Sequence, residues 1–200
     1  YAKNFENPKC LETIKVTIYL LKDKKNAPVH GEIMGSKHVN TGMTYRCHNS
    51  NSSILLYREE DLLKVFIHET FHTLNFDFVD NAKQLFNEVF HIHSELNLFE
   101  SYCETWARII NALFISITIN DGDDLMLFTT IFSFETMFSL IQCIKVLKIM
   151  NLEFSDVFTN SELLYKNFKE DSNVFSYYVV TSLLMVNVND YLSYCKNNNV

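Results

Sequence analysis

The sequence holds only two prolines and four glycines among its 200 residues, and both prolines and three of the glycines lie before residue 43. Because these residues break or turn the backbone, we expect the irregular backbone to lie in the N-terminal part of the chain. Arginine is also scarce, with three residues against 14 lysines, and the formal net charge is −7. No basic cluster stands out among the acids, so a nucleic-acid partner is not expected.

The sequence also lacks a cysteine pattern that is typical of disulfides or metal sites. The five cysteines are odd in number, widely spaced and never form a Cys-x-x-Cys motif. This pattern excludes a disulfide framework and a cysteine-type zinc site, and it is typical of reduced, intracellular thiols. The polar start YAKNFENPK is unlike a signal peptide. A cytoplasmic location is therefore expected.

An uninterrupted apolar run of membrane-spanning length is a third absence. The most apolar window covers residues 125–150, but Glu135, Gln142, Lys145 and Lys148 interrupt it. A charged side chain at bilayer depth is costly, so a span is disfavoured. We expect buried helices over this window and no membrane span.

Apolar periodicity predicts strands first and helices afterwards. Residues 13–21 are rich in β-branched side chains and partly alternate, and two shorter strands are expected at 43–47 and 52–58, after a loop over 27–42. Helices are expected over residues 59–75, 81–92, 96–117, 123–149, 160–168 and 173–195. This order predicts an α+β fold, with a small N-terminal sheet packed on the first helix and a mainly helical C-terminal lobe.

The first predicted helix contains the stretch HETFH, residues 68–72. Residues four apart share a helix face, so His68 and His72 can direct their imidazoles at one zinc ion. Glu69 projects beside that site, where a carboxylate can take a proton from a water that zinc has acidified. The alternative interpretation is an ordinary amphipathic helix that contains two histidines and no metal.

A third ligand is required, because catalytic zinc keeps three protein ligands and one open position. Glu100 and Glu104 lie four apart on a later predicted helix and are both candidates. Close approach of two helices favours a small residue one turn beyond the ligand, which is Ala107 after Glu104 and the larger Cys103 after Glu100. We therefore prefer Glu104 and keep Glu100 as the alternative. The other carboxylate would accept a proton from a ligand imidazole.

The chain resembles the gluzincin branch of zinc metallopeptidases, because HETFH matches their active-site helix and ETWA (104–107) is similar to their E-x-x-A ligand segment. The resemblance implies a zincin-like fold, with His68, His72 and Glu104 as zinc ligands and Glu69 as the general base. The runs IHETFHTLNFDF, YCETWARIINA and NVFSYY are also similar to HExxH proteins of large DNA viruses.

Two further segments are candidates for binding a substrate. HVNTGMTY (38–45) precedes the motif by the interval at which related enzymes place a substrate-pairing edge strand, which makes Asn40, Thr41 and Gly42 candidate binding residues; a plain hairpin is the alternative. Tyr177 or Tyr178, early in a later helix, could donate a hydrogen bond to the oxyanion, and core aromatics are the alternative.

Other polar clusters are weaker candidates. The histidines of HIH (91–93) lie two apart, which does not place them on one helix face, so exposed polar residues are expected there. Asp77, Asp80 and the DGDD turn (121–124) could supply an aspartate ligand or bind calcium, although DGDD lacks the EF-hand spacing.

These features together predict a zinc-dependent peptidase of one domain over residues 1–200. Its expected parts are a strand-rich N-terminal part (1–58), the active-site helices (59–118) and a helical C-terminal lobe (119–200). Its cofactor is Zn²⁺ and its partner a peptide or protein substrate. The alternatives are a zincin-like domain without catalysis, and a metal-free helical interaction module.

Overall fold

The computed structural model describes residues 13–29, 32–48, 51–76, 88–94, 96–120 and 124–198. Within these ranges the chain is α+β, with one small sheet and mostly helix, as the sequence predicts. The strands are β1 (Lys15–Leu21), β2 (Gly42–His48) and β3 (Asn51–Arg58). The α-helices are α1 (Ser36–Val39), α2 (Leu62–Thr73), α3 (Leu98–Asn120), α4 (Leu125–Ile149), α5 (Asp156–Thr159), α6 (Ser161–Asn167), α7 (Thr181–Val186) and α8 (Val188–Asn198).

The three strands form a sheet in the order β1-β3-β2, in which β3 pairs parallel with β1 and antiparallel with β2. Ile54 and Leu56 of β3 are almost fully buried and pack with Val65 of α2. This apolar contact places β2, at one edge of the sheet, along the same helix that carries HETFH. The small N-terminal sheet on this helix is therefore confirmed.

The core of the C-terminal lobe lies among α3, α4, α6 and the residues around 175. Its side chains include Leu147, Leu164, Phe168, Phe175 and Val179, each fully buried. The predicted helices over 96–117, 123–149 and 160–168 are present with small shifts in their ends. Of the helix predicted over 81–92, residues 81–87 lie outside the described ranges, and 88–89 are helical.

Helix α4 differs from the expectation that residues 125–150 are buried. Only Ser139, Cys143, Val146 and Leu147 of this helix are buried, all in its C-terminal half. Its N-terminal half leaves apolar side chains in solvent, so the prediction of a buried helix is wrong there. By length and composition alone, α4 is also apolar enough to cross a membrane.

The single helix predicted over 173–195 is divided into three. A π-helix covers Phe175–Val180, α7 follows it directly, and α8 begins after Asn187. The Thr181 hydroxyl donates to the carbonyl of Ser176, five residues earlier. A π turn holds more residues than an α turn, so neighbouring side chains diverge by a smaller angle. As a result Tyr177 and Tyr178 both line the cleft described next.

Candidate metal centre

The candidate metal centre lies in a cleft of about 670 Å³ between α2, α3, the π-helix and the edge strand β2. His68, Glu69 and His72 all project from α2 and are all buried. The Nε2 atoms of His68 and His72 lie 3.0 Å apart, because one helical turn separates the two residues. The pair predicted from the sequence therefore converges on one point.

Glu100 of α3 brings the third atom to this point. Its Oε2 lies 3.1 Å from Nε2 of His72 and 3.3 Å from Nε2 of His68. Atoms that bind one tetrahedral zinc at about 2.0–2.1 Å are separated by about 3.3 Å from one another. His68, His72 and Glu100 therefore offer two nitrogens and one oxygen with the chemistry and mutual spacing of a zinc site.

Glu104, which the sequence analysis preferred as the third ligand, lies away from the two Nε2 atoms. Its Oε1 accepts from Lys64 Nζ at 2.7 Å and from Arg108 Nε at 3.1 Å, and its Oε2 lies 3.2 Å from Nδ1 of His68. The carboxylate thus contacts the far nitrogen of a ligand imidazole, as carboxylates behind zinc-bound histidines do. By position, Glu100 rather than Glu104 lies beside the two Nε2 atoms, the reverse of the arrangement that the sequence analysis preferred.

The charges at the centre favour metal binding. Burial alone would raise the pKa of Glu100, but hydrogen bonds from His68 and His72 outweigh it and hold that pKa far below its usual range. Burial likewise opposes ionisation of Glu104, yet Lys64 and Arg108 keep its pKa well below normal. Both carboxylates are therefore ionised at neutral pH, the state that zinc requires of a ligand.

The protonation of His68 is set by the same two carboxylates. Burial alone would lower the pKa of its imidazole, but hydrogen bonding to Glu100 and Glu104 raises it above the ordinary value. Two nearby acids thus create a local negative charge that attracts a cation, either a proton or a metal ion.

Glu69 faces the cleft beside the three candidate ligands. Its Oε2 accepts a hydrogen bond of 2.5 Å from the hydroxyl of Thr44 on β2. Its backbone carbonyl accepts from Thr73 at 2.8 Å, one turn further along α2. Because Thr44 holds one carboxylate oxygen, the Glu69 side chain has a fixed direction, as a residue that moves a proton requires.

The predicted substrate-binding residues Asn40, Thr41 and Gly42 line the cleft at the start of β2. The carbonyl of Asn40 accepts from Arg58, and its amide oxygen accepts from the Ser172 hydroxyl. The Thr41 hydroxyl is buried and has no hydrogen-bond partner within the described part of the chain. Within the described sheet, β2 pairs only with β3. It is therefore an edge strand, and it borders the cleft.

Both candidate tyrosines line the cleft, and they differ in what they contact. The pKa of Tyr177 is raised well above normal by burial, by the charge of Glu100 and by a hydrogen bond to Glu100, and its ring lies 5.9 Å from that of His68. Burial and the charge of Glu104 raise the pKa of Tyr178 to about 12. Tyr177 is thus the one that reaches the candidate ligands.

The weaker candidates do not join this site. His93 stacks on Tyr165 with ring centroids 3.7 Å apart, and neither His91 nor His93 is among the described residues that line the cleft. Asp124 caps α4, where its side chain accepts from the backbone N–H of Leu127. Asp77, Asp80 and residues 121–123 lie outside the described ranges.

Sequence reasoning missed four residues that support the site: Thr44, Lys64, Arg108 and Asn173. Two of them left a readable signal, because Lys64 lies one helical turn before His68 and Arg108 one turn after Glu104. Thr44 and Asn173 approach across 25 and 73 residues of chain, respectively. Their roles follow only from the tertiary packing.

No family model matches the chain, and no curated protein or solved structure matches it either.

Proposed function

We propose that this protein is a zinc-dependent peptidase with a gluzincin-like arrangement of its site. The observation that carries the proposal is the triangle of His68 Nε2, His72 Nε2 and Glu100 Oε2, with separations of 3.0 to 3.3 Å, beside the oriented carboxylate of Glu69. In this proposal His68, His72 and Glu100 are the ligands, and Glu104 fixes the orientation of His68. The proposed fold is zincin-like.

The chemistry of the site follows from the groups in the cleft. Zinc bound there would acidify a water molecule and polarise a peptide carbonyl. The Glu69 carboxylate would take a proton from that water and pass it to the leaving amine, while Thr44 holds one of its oxygens in position. The Tyr177 hydroxyl would exchange its hydrogen bond to Glu100 for one to the oxygen that becomes negative during attack, which lowers the barrier selectively in the transition state.

An extended peptide is the substrate that the cleft fits best. β2 is an edge strand whose residues 42–44 line the cleft, so a peptide can add to it through backbone hydrogen bonds. Asn40 and Thr41 lie at the same end of the strand and offer polar groups to that peptide. These residues take the substrate-binding role expected from the sequence.

The two alternatives fit the site less well. A metal-free interaction module has no use for two histidines and two ionised carboxylates buried around one point, because burying charge is costly unless it is compensated. A zinc domain without catalysis has no use for a glutamate that Thr44 holds beside the ligands. The experiments below separate all three.

The first experiment measures zinc per chain by mass spectrometry in wild type, His72→Ala, Glu100→Gln and Glu104→Gln. We expect one zinc in wild type, none in the first two variants, and retained but weaker binding in Glu104→Gln, which removes only the partner of His68. Loss of zinc from Glu104→Gln with retention in Glu100→Gln would reverse the assignment of the ligand. Wild type that takes up no zinc on titration would refute the proposal.

The second experiment tests catalysis with a mixture of unmodified peptides, analysed for cleavage by mass spectrometry. Wild type loaded with zinc is expected to cleave, and Glu69→Gln is expected to bind zinc normally but to lose activity by a factor of about 10³ or more, since general-base catalysis is removed. Zinc binding without any cleavage in wild type would support the non-catalytic alternative instead.

A further inference from the structure

The N-terminal half of α4 presents an apolar surface to solvent. Met126, Phe134, Met137, Phe138 and Ile141, which we call the α4 stripe, are 45% to 81% exposed. With about 3.6 residues per turn, these five side chains lie on one side of the helix. Large exposed apolar patches of this kind mark interaction surfaces.

A bilayer is a poor match for the α4 stripe. Glu135 lies near the middle of α4, and its carboxylate accepts from Arg108 at 3.0 Å. In a membrane-spanning orientation this ion pair would lie at the depth of the hydrocarbon, where charges are costly. A protein partner leaves the pair in its present position at the edge of the cleft.

The charges at the two ends of α4 identify what kind of protein fits. Asp124 caps the N-terminal end, and the sequence places Asp121 and Asp123 just before it. Lys145 and Lys148 are exposed near the C-terminal end. Two copies of this helix in antiparallel orientation bring the acidic end of each toward the basic end of the other. A parallel pairing brings like charges together.

We propose that the α4 stripe is the interface of a homodimer, in which two α4 helices pack antiparallel about a two-fold axis near Met137. The five side chains expose on the order of 600 Å² per chain, taking about 150–250 Å² for a large side chain. One partner in a stable complex contributes about 800 Å². The interface pairs the same patch on both copies, as two-fold symmetry requires.

This inference is independent of the proposed zinc site and is tested without any activity measurement. Sedimentation velocity over a range of concentrations is expected to give a dimer for wild type and a monomer for Met137→Glu, with unchanged far-ultraviolet circular dichroism. Tyr194→Glu is the matched control, since Tyr194 is 61% exposed on α8 and outside the stripe. It should remain a dimer. Wild type that stays monomeric at every concentration would overturn the proposal.

Cysteine cross-linking tests the orientation. In an antiparallel pair centred on Met137, residue 130 of one copy lies opposite residue 144 of the other, and both lie on the side of α4 that carries Met137. Thr130→Cys mixed with Ile144→Cys should therefore form a disulfide-linked dimer, whereas Thr130→Cys alone should not. Cross-linking of Thr130→Cys with itself, or co-flotation of wild type with phosphatidylcholine–phosphatidylserine vesicles, would count against the proposed dimer.

Discussion

Asn173 is the residue that positions the third candidate ligand. Its side-chain amide donates to Glu100 Oε1 at 3.4 Å and its oxygen accepts from Asn97 at 2.7 Å, so the other Glu100 oxygen points at the histidines. The backbone of Asn173 has a positive φ of 52°, a conformation that asparagine tolerates better than most residues. The side chain and the backbone of this residue therefore both serve the site.

We expect Asn173→Ala to weaken zinc binding by a factor of about 10, the lower end of the effect of removing a residue that supports a ligand. Competition with a chromophoric chelator measures this change directly. Asn151→Ala is the matched control, because Asn151 also has a positive φ, 54°, and does not line the cleft. Equal affinities for the two variants would mean that Asn173 does not orient Glu100.

Lys25 carries a charge that the folded protein disfavours. Burial and the nearby Lys64 lower the pKa of its ammonium group to about 8, against 10.5 for the ordinary side chain, although Asp61 and Glu104 oppose this shift. Below pH 8 the group is charged in both the folded and the unfolded chain. The folded state then bears a cost of about 3 kcal/mol, the free-energy equivalent of this difference in pKa.

This cost predicts how the stability gained by replacing Lys25 depends on pH. Lys25→Met should raise the free energy of unfolding at pH 7 by up to about 3 kcal/mol. Between pH 8 and 10.5 the unfolded lysine binds more protons than the folded one, so wild-type stability rises with pH and the difference shrinks. Urea unfolding of both proteins at pH 7 and pH 10, with chelator present, measures this difference in the free energy of unfolding. A difference that does not change with pH would contradict the assigned cause.

At the level of residues, the sequence predicts those parts of the site whose geometry depends on spacing within one helix. The convergence of His68 and His72, with Glu69 beside them, could be predicted because helical periodicity fixes their relative positions. The preference for Glu104 over Glu100 had no firm local basis, because both share one face of α3. Each is also followed by a small, fully buried residue, Cys103 or Ala107. The rotation of α3 against α2 decides which carboxylate lies near the two Nε2 atoms, and no local pattern encodes that rotation.

Among the elements, β2 depends on the absence of a side chain at Gly42. A Cβ atom at this position would lie 2.9 Å from Cδ2 of Leu56, 3.0 Å from Cγ1 of Val65 and 3.1 Å from the carbonyl of Leu55. Leu56 and Val65 belong to the buried contact between the sheet and α2, so they cannot move freely. The glycine therefore lets the edge strand approach the helix that carries the site.

Gly42→Ala is expected to destabilise the protein by about 1–3 kcal/mol, the usual cost of overpacking a core. It should also weaken peptide binding to the zinc-loaded Glu69→Gln variant, because β2 is displaced from the cleft. Thermal unfolding and fluorescence anisotropy measure the two effects. Tyr45→Ala provides the comparison on the same strand, at a side chain that is 60% exposed and does not line the cleft. A neutral Gly42→Ala would show that β2 tolerates the displacement.

The kinds of elements were predictable, and their pairing was not. Composition distinguishes the N-terminal strands from the helices that follow. The parallel pairing of β1 with β3 joins strands that are separated by β2, and the register of Val16 with Ile54 depends on long-range contacts. The π-helix is similarly hidden, because FSYYVV has the same apolar character as the helices around it.

At the scale of the whole molecule, zinc would add a link between two helices that already pack on each other. The three candidate ligands come from α2 and α3, and α3 in turn packs on the C-terminal lobe. A ligand that binds only the folded state stabilises it by about 4 kcal/mol at a concentration 1,000 times its Kd. For a chain of this size, 1 kcal/mol corresponds to about 2–4 °C in Tm.

Removing zinc with EDTA should therefore lower the Tm of wild type by about 8–16 °C. Differential scanning calorimetry with and without zinc measures the change. His72→Ala provides the control and should give the same Tm in both conditions, since its site lacks a ligand. A wild-type Tm that is insensitive to EDTA and zinc would indicate that the buried histidines and carboxylates are stable without a metal.

The order of these contacts along the chain has a consequence during synthesis. The candidate ligands all lie between residues 68 and 104, so they are made before the residues that complete the cleft. Asn173 reaches Glu100 across 73 residues, and Ser172 reaches Asn40 across 132. Tyr177 and Tyr178 leave the ribosome at about the same time as these partners. A nascent chain can thus acquire its metal before its cleft is complete, and the proposed hydrolytic activity arises only after residues 172–178 have been made.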